Sequence, residues 1–178
     1  MMSITNLVKS YGSNKVLKGL TIDFNAGHIY GIVGINGAGK TTLFRCIAGL
    51  EDYLGKITLG EKELHQATAL LPTNPYFLDR LTGREYLQFI CHAQQIRPPD
   101  FDKRNIFDLP LDDYANQYST GMKKKLALLG VLIQQKDCFV LDEPFNGVDI
   151  QSNLLITCLL YTSPSPRDQR GARMPSSA

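Results

Sequence analysis

Gly34-Ile35-Asn36-Gly37-Ala38-Gly39-Lys40-Thr41 fills every fixed position of the pattern G-x-x-x-x-G-K-[ST]. An apolar run, His28 to Val33, leads into it, and a stretch of helical character, Thr41 to Leu50, leads out. Glycines let successive backbone N–H groups turn inward and cradle phosphate oxygens. Lys40 carries a mobile positive charge that can reach the outer phosphates. The Thr41 hydroxyl suits the oxygen shell of Mg²⁺, and the helix start presents its positive pole to the anion. Asn36, Gly37, Ala38, Gly39, Lys40, Thr41 and Thr42 are the expected phosphate-binding positions.

Cys138-Phe139-Val140-Leu141-Asp142-Glu143-Pro144 reads as an apolar strand ending in two carboxylates. In phosphoryl transfer an Asp at a strand end holds Mg²⁺, and a neighbouring carboxylate orients the attacking water. Asp142 is therefore the candidate metal ligand beside Thr41, and Glu143 the candidate catalytic group. Between the two motifs lies Tyr118-Ser119-Thr120-Gly121-Met122, just before a helical stretch, Lys123 to Gln135. Ser119 reads as its N-cap, which leaves N–H groups free at the helix start.

This third element resembles the signature sequence of the ATP-binding cassette (ABC) ATPases, L-S-G-G-Q. Ser119 and Gly121 match; Tyr118, Thr120 and Met122 depart. Asn146-Gly147-Val148-Asp149 resembles that family's D-loop, and the resemblance spans Ile4 to Thr157. It implies an α/β fold: a P-loop NTPase core with a mainly parallel sheet, an N-terminal antiparallel β patch and a small helical subdomain. It implies ATP and Mg²⁺ as cofactors, with Tyr11 stacked on adenine. Ser119 and Gly121 would close on the γ-phosphate held by a second ATPase subunit, in a homodimer or heterodimer. Hydrolysis would power transmembrane permease subunits. The protein would then be cytoplasmic, peripheral on the inner face of the cell membrane, with no nucleic acid expected. Two alternatives stay open: a non-transport ABC ATPase acting on ribosomes or DNA, and a non-hydrolysing nucleotide-binding regulatory module.

Two parts that the resemblance implies are absent from this sequence. Within Leu70-Leu71-Pro72-Thr73-Asn74-Pro75, Thr73 occupies the place of a Gln that touches Mg²⁺ and water in the family. Its shorter hydroxyl is expected to act only through a water. The family's switch histidine would follow Glu143, but His28, His65 and His92 all precede it.

From Cys158 the chain reads Cys-Leu-Leu-Tyr-Thr-Ser-Pro-Ser-Pro-Arg-Asp. This stretch resembles a transposase sequencing adapter translated in frame, and Arg173 to Ala178 resembles its outer part. Ala172 departs, where the adapter would give Ser. The expectation is a domain over residues 1–157, incomplete at its C-terminus, followed by a non-native tail, 158–178, that is extended or weakly packed. The alternative is a natural disordered tail rich in Pro, Ser and Arg.

The tail carries Arg167, Arg170, Arg173 and Asp168, which account for the whole formal net charge of +2. The remainder is formally neutral, so the charge gives no argument for nucleic acid or an anionic membrane. The run Lys123-Lys124-Lys125 is expected to be a solvated helix face. Cys46, Cys91 and Cys138 lack metal-ligand spacing and sit in apolar stretches, which suits buried thiols. No apolar run reaches transmembrane length, so a soluble protein is expected.

Ile4 to Tyr11 and Val16 to Phe24 alternate as half-buried strands do, and Gly55 to Gly60 adds a third. His28 to Val33, Leu70-Leu71 and Phe139 to Leu141 read as strands buried on both faces of a parallel core. Thr82-Gly83-Arg84-Glu85 is a capping box that opens a helix to about Gln95. Residues 74–117 form the expected helical subdomain.

Overall fold

The computed structural model describes residues 1–162. Strands β1 (Met2–Tyr11), β2 (Asn14–Phe24) and β3 (Leu54–Leu59) form an antiparallel sheet in the order β2-β1-β3. This is the expected N-terminal patch. Its alternation turns Ile4, Leu7, Leu17 and Ile57 inward, against Leu43, Cys46 and Ile47 of helix α1 (Lys40–Ile47).

After β3 come a short helix α2 (Leu64–Ala67) and strand β4 (Thr68–Leu71). Helix α3 (Gly83–Ala93) follows with the predicted capping box. Thr82 accepts from the Glu85 N–H, and the Glu85 carboxylate accepts from the Thr82 N–H. Helix α4 (Phe101–Arg104), a 3-10 turn (Ala115–Gln117) and helix α5 (Thr120–Leu132) complete the helical part. Strand β5 (Cys138–Leu141) then pairs with β4 in parallel, Leu71 opposite Leu141. Helix α6 (Ile150–Thr162) ends the described region.

Two cores result. The first lies under the antiparallel sheet and reaches Val140 of β5. The second gathers Leu71, Leu87, Cys91, Phe101, Leu126 and Ile156 from β4, α3, α4, α5 and α6. Helix α1 touches β2 on one side and β4 on the other. Its first turn, with Thr41, therefore stands where β4 and β5 end. Ligands of open parallel sheets bind at such carboxyl ends.

Three expectations are corrected. His28 to Val33 forms no strand, and Val33 is 96% exposed. Among the described residues no strand pairs with it, so its backbone lacks a ladder partner; of its side chains, Ile32 packs against the first core and Tyr30 stands edge-on to Phe24. The lysine run is not a solvated face: Lys124 is 3% exposed, and the Lys125 side chain is largely covered while pairing with Asp149 at 2.6 Å. The first five residues of the expected tail, Cys158 to Thr162, are helical. Helix α6 continues to Thr162, because nothing in Cys158-Leu159-Leu160-Tyr161-Thr162 breaks a helix. Cys46 and Cys91 are buried as expected, but Cys138 is only half-buried, near the start of the exposed β5 flank. The tail reading for residues 163–178 lies outside the described residues.

Candidate functional site

The loop before α1 is built for an anion. Gly37 and Gly39 adopt positive φ, 81° and 91°, which side-chain-bearing residues rarely adopt. A Cβ on Gly39 would also stand 2.8 Å from Val16 Cγ1, so the loop is pressed against β2. Gly39 is the N-cap of α1 and offers no side-chain cap, and the first turn holds no acidic residue. The helix start therefore keeps unsatisfied N–H donors and its positive pole. Asn36, Gly37 and Ala38 are exposed, and Ala38 N–H bonds Ile35 C=O at 3.1 Å, closing the turn. The Lys40 ammonium folds back onto Gly34 C=O at 2.7 Å and Ile35 C=O at 3.0 Å. It thus stands over the loop's own mouth. Thr42 is half-buried on the next position of the helix.

Beside Lys40 is a cleft of about 520 Å³, lined by Val16, Leu17, Ile32, Val33 and Leu43 together with Gly39 and Lys40. Its wall is apolar and one end is cationic, as a ring-plus-phosphate ligand requires. A second cavity, about 330 Å³, is lined by Glu51, Asp52 and Glu63. Its negative lining repels a phosphate, so charge decides between the two.

The candidate metal end is assembled from three parts of the chain. The Thr41 hydroxyl donates to Asp142 Oδ2 at 2.7 Å, and the Thr73 hydroxyl donates to the same oxygen at 2.7 Å. Asp142 is 4% exposed, and its N–H is fixed on Leu71 C=O at 2.9 Å, extending the β4–β5 pairing by one bond. The donor set is all oxygen, with one carboxylate and two hydroxyls, which fits a hard divalent cation such as Mg²⁺. Glu143 is exposed and sits at φ 51°, an uncommon conformation for a side-chain-bearing residue. Asn146 Nδ2 donates to Glu143 Oε2 at 3.2 Å. The carboxylate next to Asp142 is therefore aimed by a strained backbone and a hydrogen bond, rather than by packing.

Other predicted residues stand apart from this cluster. Ser119 caps α5, accepting from Met122 N–H at 3.2 Å. Gly121 packs on the stretch after Asp142: a Cβ there would lie 2.8 Å from Gly147 C=O. Tyr11 does not line the cleft beside Lys40. The Lys9 ammonium covers one face of its ring at 4.9 Å and pairs with Glu51 at 2.9 Å. Lys9, and more weakly the Tyr11 hydroxyl, holds the Glu51 carboxyl below its ordinary value. Tyr11 as a whole is 47% exposed.

Sequence reasoning missed one participant, Lys124, and one contact of Thr73. The Thr73 hydroxyl donates to Asp142 itself, a partner the sequence did not show. Lys124 sends its ammonium to Thr73 C=O at 2.6 Å, Pro72 C=O at 3.3 Å and Asp142 C=O at 3.4 Å. Burial pushes its pKa down, opposed by the charges of Asp142 and Glu143. A signal for it was present: Lys124 shares a helical stripe with Leu128 and Val131, both buried.

These features define an α/β domain of the P-loop class. A family profile described as ABC transporter matches residues 17–146. The chain is 31% identical over 175 residues to the SkfA peptide export ATP-binding protein SkfE of Bacillus subtilis (strain 168), covering 91% of this chain and 73% of that protein. It is 33% identical over 166 residues to the bacitracin transport ATP-binding protein BcrA of Bacillus licheniformis, covering 84% of this chain but 53% of that one. A solved ATP binding subunit of an ABC transporter shares the fold, with a TM-score of 0.77, 24% identity, 86% of this chain and 70% of that one. The chain belongs to the ABC transporter family. Among the described residues no helix is long and apolar enough to cross a membrane.

Proposed function

We propose that this chain binds ATP with Mg²⁺ and, as an ATP-binding subunit, hydrolyses it to drive transmembrane permease partners. The observation that carries the reading is the 2.7 Å contact from Thr41 to Asp142, across 101 positions of sequence. It joins the phosphate loop to the acidic strand end in one place. The triphosphate would lie in the loop of Gly34 to Lys40, its outer charge met by the Lys40 ammonium and the α1 N-terminus. Thr41 and Asp142 would hold Mg²⁺, which when bound neutralises charge on the phosphate oxygens. Glu143 would accept a hydrogen bond from the attacking water and orient it in line. Tyr11 would offer its ring to adenine. Ser119 and Gly121 would close on the γ-phosphate of a second ATPase subunit, identical or related, so that binding favours a closed dimer and hydrolysis opens it. Partner subunits would place the protein on the inner face of a cell membrane.

The test is ATP binding by the parent and by Lys40→Ala. Loss of the charged hydrogen bonds should weaken ATP by roughly tenfold to a hundredfold, with the circular dichroism spectrum unchanged. Equal affinity in the two proteins would remove the phosphate-loop assignment. One observation favours a second reading, a binding module without turnover: the Thr73 hydroxyl, in the family's Gln position, is spent on Asp142. Steady ATP turnover that is lost in Glu143→Gln while ATP binding persists would decide for the enzyme.

A further inference from the structure

Among the described residues the fold buries two charged side chains, Lys124 and Asp142, and it buries them side by side. A buried ammonium is costly unless every proton finds an acceptor. Here three donors meet three main-chain carbonyls, of Pro72, Thr73 and Asp142. Those carbonyls belong to the segments that leave the parallel strands β4 and β5, at the end where Thr41 arrives. The same Thr73 whose carbonyl Lys124 holds turns its hydroxyl onto Asp142 Oδ2. Among the described residues no carboxylate neutralises Lys124 by direct contact, so the ammonium ties backbone to backbone. An apolar side chain of equal length would fill the space, but it could not hold three carbonyls together.

We propose that Lys124 is a positioning residue for the metal end of the nucleotide site. Its three-carbonyl staple locks Thr73 and Asp142 to each other, so that Asp142 meets the cation jointly with Thr41. The proposal rests on the Mg·ATP reading above. It links α5, whose first turn follows Ser119, to the metal site through a single side chain. A merely structural Lys124 would govern stability. A positioning Lys124 governs how tightly the ATP-loaded chain takes up the cation.

The experiment titrates Mg²⁺ into the ATP-loaded full chain, following the fluorescence of a labelled ATP, for the parent, Lys124→Met and Lys124→Arg. ATP affinity in the absence of Mg²⁺ is measured alongside. Lys124→Met should raise the half-saturating Mg²⁺ concentration by about tenfold, the low end of what loss of a ligand-supporting partner costs, with Mg²⁺-free ATP affinity held. Lys124→Arg should recover most of the loss. An unchanged half-saturation in a folded Lys124→Met would overturn the proposal while leaving the Mg·ATP reading intact. A parent whose ATP binding ignores Mg²⁺ would overturn that reading itself, and the proposal with it. Should Lys124→Met not fold, the parent labelled with ¹⁵N-lysine gives the answer. One exchange-protected ammonium signal should shift when Mg²⁺ joins the ATP-loaded chain, and no shift would overturn the proposal.

Discussion

The loop from Gly34 to Lys40 and the strand end at Asp142 meet through one hydrogen bond, yet they are held in opposite ways. The loop and the run before it are exposed: Val33 at 96% and Ile35 at 83% have almost nothing over them. The geometry there comes mainly from local rules, namely positive-φ glycines, a bare helix start and a lysine turned on its own loop, with Gly39 against Val16 of β2 as a long-range brace. The Asp142 end comes from long-range bonds to Thr41, Thr73, Leu71 and Lys124, over a core in which α5 is buried along most of its length. A site with one local and one tertiary half should respond to mutation in two different ways.

The largest contrast is in stability. Leu126→Ala removes a fully buried side chain at the centre of the second core and should cost about 2–5 kcal/mol in urea unfolding. Val33→Thr changes a side chain in solvent and should stay within about 0.5 kcal/mol of the parent. If Val33→Thr destabilised as strongly as Leu126→Ala, the run from His28 to Val33 would have to be packed, and the comparison would fail.

Gly121→Ala should come next. Its new Cβ would stand 2.8 Å from the Gly147 carbonyl, a backbone atom with little freedom to retreat. Overpacking of this kind costs about 1–3 kcal/mol, read as a lower Tm. Thr82→Ala, which removes one half of the α3 capping box, should cost about 1 kcal/mol in the same measurement.

A pH effect is smaller and signed. Lys125, together with the Ser152 N–H and hydroxyl, holds the Asp149 carboxyl well below the usual carboxylate range. A lowered folded value means that the stabilisation is fully present above the ordinary aspartate pKa, about 3.9, and is lost as pH falls through the lowered one. Thermal melts should therefore drop more steeply below that pH in the parent than in Asp149→Asn. Parallel curves would show that the Lys125–Asp149 pair contributes nothing.

The local half was legible in the sequence, because local rules set it. The glycine-lysine-threonine spacing, the Ser119 N-cap and the Thr82–Glu85 box each follow from residues within one turn of their targets. The Asp142 strand end was legible as chemistry, but its partners were not. The Thr73–Asp142 bond spans 69 positions; the resemblance put Thr73 near the metal end, but no local rule gives its hydroxyl this partner. Lys124 was hidden among three lysines whose charge reads as solvent-facing, although its stripe with Leu128 and Val131 places it inward. The run from His28 to Val33 misled for the converse reason. Apolar composition states what a segment would bury against, but a strand also needs a neighbour to pair with.

The central claim is that the exposed loop and the buried strand end form one site for ATP and a divalent cation. The most direct test is ATP affinity with and without Mg²⁺ in the parent and in Asp142→Asn. We expect Mg²⁺ to tighten ATP in the parent, and Asp142→Asn to lose that gain while keeping the Mg²⁺-free affinity set by the loop. An Asp142→Asn protein that gained as much from Mg²⁺ as the parent would contradict the claim.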